Sequence, residues 1–274
     1  MLEPAVEADP ATVMQQPGRY SISSRTARRR RGNGRHESPT LPFRHGPLVA
    51  TAASLPTGMG TERHDILVDD EGRMTVVLVQ TATRQMTDAV LSTLRPAIEA
   101  GKHSVLLSSQ VDACVVQHQG EEGGSDRAAV ALLRFSSDGE NVEIVNTGLP
   151  PILCVRRNGD QLAFPGAGPR GEIVTCRHGD VFVIASPGLV GGAGSSDELD
   201  HLVERVGLAR HGHCVAAAPP EDLAVLLREH VATTRADSSK DATLILVGSR
   251  SGRNIARRPL ARAPRGPIAF RGGW

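Results

Sequence analysis

Aromatic side chains are scarce in this chain: one tryptophan, one tyrosine and five phenylalanines, 3% of 274 residues. A core must therefore be built from Val, Leu, Ile and Ala, which suits strands flanked by helices. Cysteine is equally sparse. Cys114, Cys154, Cys176 and Cys214 are far apart and form no CxxC pair. That spacing gives no zinc-ribbon or dithiol signature. Cys114 and Cys154 sit among apolar residues and read as small buried fillers, which fits a reduced, cytoplasmic location. No run approaches the ~20 apolar residues of a membrane span. The N-terminus has no basic start followed by an apolar stretch, so no secretory signal is expected. The net charge is only +1, so overall charge selects no class of partner.

Charge is distributed locally instead. Arg25, Arg28, Arg29, Arg30, Arg31 and Arg35 crowd one segment, and Arg250, Arg253, Arg257, Arg258, Arg262, Arg265 and Arg271 recur near the C-terminus. Neither end shows helical or strand periodicity, and both are interrupted by Gly and Pro. Residues 1–45 and 250–274 are therefore read as disordered Arg-rich arms around one domain at 46–249. As solvated tails they need no partner; contact with nucleic acid or another polyanion is the functional alternative. No aromatic residue interleaves with Arg25–Arg35, which argues against base stacking there.

The central region alternates β-prone runs with turn signals. Leu48–Leu55 reads as a strand, and His64–Val68 and Met74–Gln80 as a hairpin around Asp69-Asp70-Glu71-Gly72. Met86, Ala89, Val90, Leu94, Ala97 and Ile98 recur at helical spacing over 84–100, with Pro96 inside the pattern and Gly101 placed to end it. A second helix is expected over 105–116. Strands follow at 128–135, 141–146, 151–157 and 180–186, with one more short strand near 161–164 or 172–176. Helices at 199–208 and 221–232 and a strand at 243–247 close the pattern. This order predicts an α+β fold: a four-layer α-β-β-α sandwich of two mainly antiparallel sheets flanked by helices.

Four phrases in this order resemble the metal-dependent (PPM-type) serine/threonine protein phosphatases, specifically their SpoIIE-like branch. Thr147-Gly148-Leu149-Pro150-Pro151, with Arg156-Arg157-Asn158-Gly159 after the next strand, is similar to that family's Ala-Gly-His-Pro-Pro phrase and the basic pair that follows. Gly179-Asp180 leads through an apolar strand into Ser186-Pro187-Gly188, where the family has Thr-Asp-Gly. Lys240-Asp241-Ala242-Thr243 resembles Asp-Asp-x-Thr, and Thr61-Glu62-Arg63-His64-Asp65 resembles the opening Gly-Asp-x-x-Asp. The resemblance covers about 48–248 and implies the same sandwich.

It also implies a chemistry that this chain departs from. Family members use two Mn²⁺ or Mg²⁺ ions, whose hard charge takes oxygen ligands, to clamp a phosphoryl group and activate water. Glu62, Asp65 and Asp241 are the remnant ligand candidates. At the principal Asp of Asp-x-Ser-Gly-x-Gly the chain has Val79 or, with a one-residue slip, Gln80. Pro187 and Lys240 stand at two further ligand positions. A lysine there repels a cation. The resemblance therefore implies a catalytically impaired pseudophosphatase that binds a phosphoprotein or regulatory partner, such as an antagonist of an anti-sigma factor in bacterial partner switching. Lys240 and Arg84 are the candidate phosphate-binding residues, supplying the charge that metals would otherwise supply. The alternative is a residual Mn- or Mg-dependent phosphatase.

Other constellations carry less. Cys176-Arg177-His178 and His211-Gly212-His213-Cys214 read as polar loops unless space brings them together. Gly191-Gly192-Ala193-Gly194 lacks the Gly-Lys-Ser/Thr ending of a phosphate loop, and Ser186 lacks the Gly-x-Ser-x-Gly context of a nucleophile.

Overall fold

The computed structural model describes residues 42–57, 61–118, 128–166, 168–190, 196–207, 216–217, 220–234 and 240–249. Both Arg-rich arms up to residue 41 and from 250, the Gly120–Ser125 loop, Gly191–Gly194 and His211–Cys214 lie outside the described residues. The chain opens with β1 (Phe43–His45), β2 (Leu48–Leu55), β3 (Glu62–Val68) and β4 (Met74–Gln80), then α1 (Arg84–Glu99) and α2 (Ser104–His118). Next come β5 (Ala129–Phe135), β6 (Asn141–Thr147), β7 (Ile152–Val155), β8 (Gln161–Phe164), β9 (Gly168–Thr175) and β10 (Val181–Ala185). The short α3 (Pro187–Val190), α4 (Ser196–Val206), α5 (Pro220–Thr234) and β11 (Ala242–Ser249) complete it.

The strands form two sheets, ordered β1-β2-β11-β10-β7-β8 and β3-β4-β5-β6-β9, and every pairing is antiparallel. Strand β1 falls on the arm side of the boundary expected at residue 46 and pairs with β2 from Phe43↔Ala50 to His45↔Leu48. Both positions considered for an extra strand are used, as β8 and β9.

Apolar residues pack in the three spaces of a four-layer sandwich. Between the sheets lie Leu48, Ala50 and Ala52 of β2, Met74, Val76 and Leu78 of β4, and Ile245 and Val247 of β11. Phe135 and Phe182 meet there edge to face across the sheets, with ring centroids 5.5 Å apart. The alternate residues of the same strands face helices. Val77 and Val79 pack with Val90, Leu94 and Ile98 of α1 and Leu107 of α2. Leu244 and Leu246 pack with Leu202 of α4 and Leu223 and Leu227 of α5. Because both faces of β4 and β11 are covered, these strands read as continuous apolar runs rather than alternating ones.

Caps and turns fix the helix ends. The Thr83 hydroxyl accepts from the Met86 amide, 3.2 Å away, at the start of α1. Helix α1 carries Pro96 in its last turn and stops before Gly101, whose φ of +68° favours glycine. Among the described residues no helix is long and apolar enough to cross a membrane.

Candidate functional site at the mouth between the sheets

The strand alternation that builds the inter-sheet core continues at one end with polar side chains. On β2 the inward series Leu48, Ala50, Ala52 reaches Ser54. On β11 Val247 and Ile245 give way to Thr243, and on β10 Phe182 and Ile184 lead to Ser186. Thr243 is the register partner of Ser54, and their hydroxyls lie 3.1 Å apart. The Ser186 amide donates to the Thr243 carbonyl and the Thr243 amide to the Ser186 hydroxyl, both at 2.9 Å. From the other sheet, the series Met74, Val76, Leu78 ends at Gln80, whose register partner is Glu62. Three hydroxyls, one amide and one carboxyl thus form the mouth.

Glu62 is buried, with 8% of its surface exposed. Its Oε1 accepts from Gln80 Nε2 at 3.4 Å, while its buried Oε2 has no hydrogen-bond partner. Burial pushes the carboxyl up to about 8; the nearby Ser186 and Thr243 hydroxyls pull it down in part, and the Asp241 charge adds to the rise. Two residues along the same face of β3, burial and the charge of Arg63 push His64 down to about 4, so both groups are predominantly neutral at pH 7.

A raised carboxyl has a definite linkage sign. The folded state holds more protons than the unfolded state between about pH 4.5 and 8, so stability falls as pH rises through that window. At ~1.4 kcal/mol per tenfold the ceiling is roughly 5 kcal/mol, and partial access to water lowers it. Glu62→Gln is expected to gain about 2–4 kcal/mol on the native protein between pH 5 and pH 9. Urea denaturation across that range checks this; parallel stability curves would refute the assignment.

The remaining candidates go elsewhere. Val79 is fully buried under α1, so of the two positions left open by the sequence it is Gln80 that reaches the mouth. Asp65 pairs in register with Val77, on the helix side of β3, opposite to Glu62. There Arg95 of α1 donates from Nε to its Oδ2 at 2.5 Å, and Oδ1 accepts from the Ile66 amide at 3.0 Å. Burial raises the Asp65 carboxyl and Arg95 opposes that rise. Its partner set is that of an ion pair docking α1 on the sheet.

Asp241 sits just before β11, and 5% of its surface is exposed. Oδ1 accepts from the amide and hydroxyl of Thr57 at 2.7 and 2.9 Å, and Oδ2 from those of Thr61 at 3.0 and 3.5 Å. Both oxygens are committed to gripping the two ends of the β2–β3 connection. Lys240 beside it is exposed. Pro187 opens α3, where its missing amide proton costs nothing. Gly188 lies against the 240–241 backbone: a Cβ there would stand 2.1 Å from the Asp241 carbonyl oxygen. Arg84 is the first residue of α1, half exposed, with Nε 4.0 Å from Asp88.

Some organising residues escaped the sequence reading. Thr81, Thr83 and Thr87 build the β4–α1 turn. The Thr81 and Thr87 hydroxyls are 2.6 Å apart, and the Thr87 hydroxyl reaches the Thr61 and Thr83 carbonyls at 2.9 and 3.0 Å. Asn146 holds the Gly148–Pro151 turn, accepting from the Leu149 amide at 3.1 Å and donating to the Pro150 carbonyl at 2.9 Å. Asp180 accepts from Arg156 and from the Arg177 amide, joining two more of the phrases structurally. The Thr81-x-Thr83-x₃-Thr87 spacing is the one signal among these that a sequence carries.

A pair of divalent ions needs several carboxylates converging on them. The mouth offers one, largely protonated at neutral pH, beside an amide and three hydroxyls, while Asp241 is engaged and Asp65 faces away. Among the described residues no group of three or more His, Cys, Asp or Glu is placed to hold a metal. This donor set does not fit a two-ion centre.

No protein-family model matches the chain, and neither does any curated protein. Solved structures do resemble it. The RsbU and RsbW domains of a Mycobacterium tuberculosis protein align with a TM-score of 0.59 at 18% identity, covering 77% of this chain and 61% of that one. The PP2C phosphatase domain of SpoIIE from Bacillus subtilis, with a fragment of its regulatory domain, gives 0.59 at 12% identity, covering 77% and 63%. The SiaA PP2C domain of Pseudomonas aeruginosa gives 0.57 at 14% identity, covering 74% and 86%. The chain thus spans about three fifths of the first two structures. At these identities the likeness is one of architecture, and the described domain has the fold of PPM-type, SpoIIE-like phosphatase domains.

Proposed function

We propose that this is a PPM/SpoIIE-type serine/threonine phosphatase-like domain that has lost metal-dependent hydrolysis and binds a phosphoprotein or regulatory partner in bacterial signalling. The observation that carries this reading is the make-up of the mouth. Where the family resemblance asks for metal ligands, the chain has Gln80, Pro187 and Lys240, and its retained Asp241 grips Thr57 and Thr61. By the same resemblance the partner is an antagonist protein of an anti-sigma system. A phosphoserine brings two negative charges and oxygen acceptors, and the exposed Lys240 and Arg84 are the cationic candidates to receive it. The residual-enzyme reading, one Mn²⁺ on Glu62, Asp65 and Asp241, is weakened because Asp65 lies on the opposite face of β3 from Glu62.

Two measurements test the proposal. Mn²⁺-dependent hydrolysis of p-nitrophenyl phosphate and of a phosphoserine protein is expected to stay at background. Phosphopeptide binding is expected to survive EDTA and to weaken about tenfold or more in Lys240→Asp, the loss of a charge-assisted contact plus a new repulsion. Metal-dependent turnover abolished by Glu62→Ala would establish the enzyme instead. Absence of phosphopeptide binding would remove the binding role.

A further inference from the structure

Strand β9 closes one sheet and β8 closes the other, and the short connection over 165–167 puts both edges on one side of the sandwich. The Cys176 amide donates to the Glu140 carbonyl, so by alternation Val174 and Glu172 also bond to β6. The backbone groups of Ile173 and Thr175 therefore point off the open edge. The Thr175 carbonyl accepts there from Arg156 at 3.2 Å, while Ile173 has no strand to bond on that side among the described residues. The same side carries apolar surface. Of the four large apolar side chains exposed among the described residues, only Val225 lies elsewhere. Ile173 on β9 is 75% exposed, Leu162 on β8 40%, and Leu106 55% on α2, which packs beside β9. Such an edge pairs readily with a further strand.

We propose that the chain's own C-terminal segment Pro267-Ile268-Ala269-Phe270-Arg271 adds to β9 as an antiparallel strand, with Phe270 opposite Ile173. The Ser249 carbonyl accepts from the Gly179 amide, just past the end of β9, so the arm starts beside Thr175. Chain returning from there along the edge runs antiparallel to β9. Residues 250–267 intervene before Ile268, ample length at ~3.3 Å per residue. The N-terminal arm instead joins β1, at the opposite edge of the six-stranded sheet. In this register Ile268 faces Thr175 and Arg271 faces the exposed Glu172. That sets an aromatic–β-branched pair beside an opposite-charge pair. Pro267 points away from β9, so its missing amide proton leaves no gap in the pairing. The remaining charges agree. Residues 250–274 contain no acid, and the cations Arg170 and Arg177 count opposite Gly273 and Gly266. On the Phe270 face, Glu143 beside Ile173 lies 3.7 Å from His103. The segment that composition alone reads as a solvated tail thus seals an open edge against other chains.

Amide hydrogen exchange at Ile173 and Thr175, followed by NMR of the full chain, supplies the test. Both amides are expected to exchange about tenfold more slowly in the native chain than in Phe270→Asp, the ratio given by a roughly millimolar effective concentration and a Kd of about 0.1 mM. Glu172→Arg alone and Arg271→Glu alone should each lose most of that slowing, and the two together should restore it. Glu172 is exposed and the arm positions lie outside the packed core, so the domain stays folded in every variant. Unchanged exchange in β4 and β11 verifies this. Equal rates in the native chain and Phe270→Asp would overturn the proposal. A slowing that vanishes on dilution would also overturn it, assigning the edge to a second copy. A double charge swap that restores nothing would overturn the register.

Discussion

Gly188→Ala is expected to destabilise the domain by about 3 kcal/mol or more, lowering Tm by roughly 6–12 °C for a domain of this size. The added methyl would stand 2.1 Å from the Asp241 carbonyl oxygen and 2.9 Å from its carbon. Both are backbone atoms at the entry to a fully buried strand, so neither yields as a flexible side chain does. The damage also reaches the mouth. Asp241 carries the grip on Thr57 and Thr61, and Ser186, two residues before Gly188, reaches the same Asp241 carbonyl. Gly207→Ala is the contrasting control. Its φ is +70° but nothing lies within 4 Å of a Cβ there, so it should cost only about 1 kcal/mol of backbone strain. Chemical denaturation of both variants gives the comparison, and a Gly188→Ala protein no weaker than Gly207→Ala would refute the packing argument.

Gly188 illustrates how the sequence and the structure divide the information. It matches the glycine of the Thr-Asp-Gly phrase, in which Pro187 stands at the Asp, and its role in the structure is spatial: the α3 turn touches the start of β11. The sandwich itself was legible because β2, β4, β5 and β11 are dense in Val, Leu and Ala, and because positive-φ turns at Gly72, Gly139 and Gly159 separate β3 from β4, β5 from β6 and β7 from β8. The short elements were not. Strand β1 is three residues long and gains its order from pairing with β2, and α3 is a single turn buried on three of its residues.

At the mouth the difficulty was where β3 begins. Read as starting at His64, the strand leaves Glu62 in a loop, free to join Asp65. Started at Glu62, as in the structure, it places Glu62 and Asp65 three residues apart on opposite faces. The choice between Val79 and Gln80 had the same character, since a one-residue slip exchanges the helix face for the mouth, and the pairing of Gln80 with Glu62 decides it. Contacts between distant parts of the chain carry no local signal at all. Thr57 and Asp241 are separated by 184 positions, so the engagement of that carboxylate could be seen only in three dimensions.

That engagement leads to the second large effect. Asp241→Ala is expected to cost about 2–4 kcal/mol, because it removes charge-assisted acceptors from two amides and two hydroxyls at once. Thr57 is exposed, so water recovers part of what it loses; Thr61 is half-buried and recovers less. Asp241→Asn should fall between alanine and the native protein, since its amide oxygen can serve one threonine while its NH₂ meets the donors of the other. A metal ligand would behave in the opposite way. In EDTA, removing an acidic ligand relieves repulsion or changes little, and the cost appears only when metal is supplied. Denaturation in EDTA therefore separates the roles: a loss of stability there, ordered Ala > Asn, identifies a clamp on the β2–β3 connection. Unchanged stability in EDTA with a loss only in Mn²⁺ would return Asp241 to the metal site. The clamp also acts on Glu62, whose carboxyl is raised in part by the Asp241 charge. Asp241→Asn should for that reason shift the Glu62-dependent fall in stability toward lower pH, because a carboxyl relieved of a neighbouring negative charge loses its proton more readily.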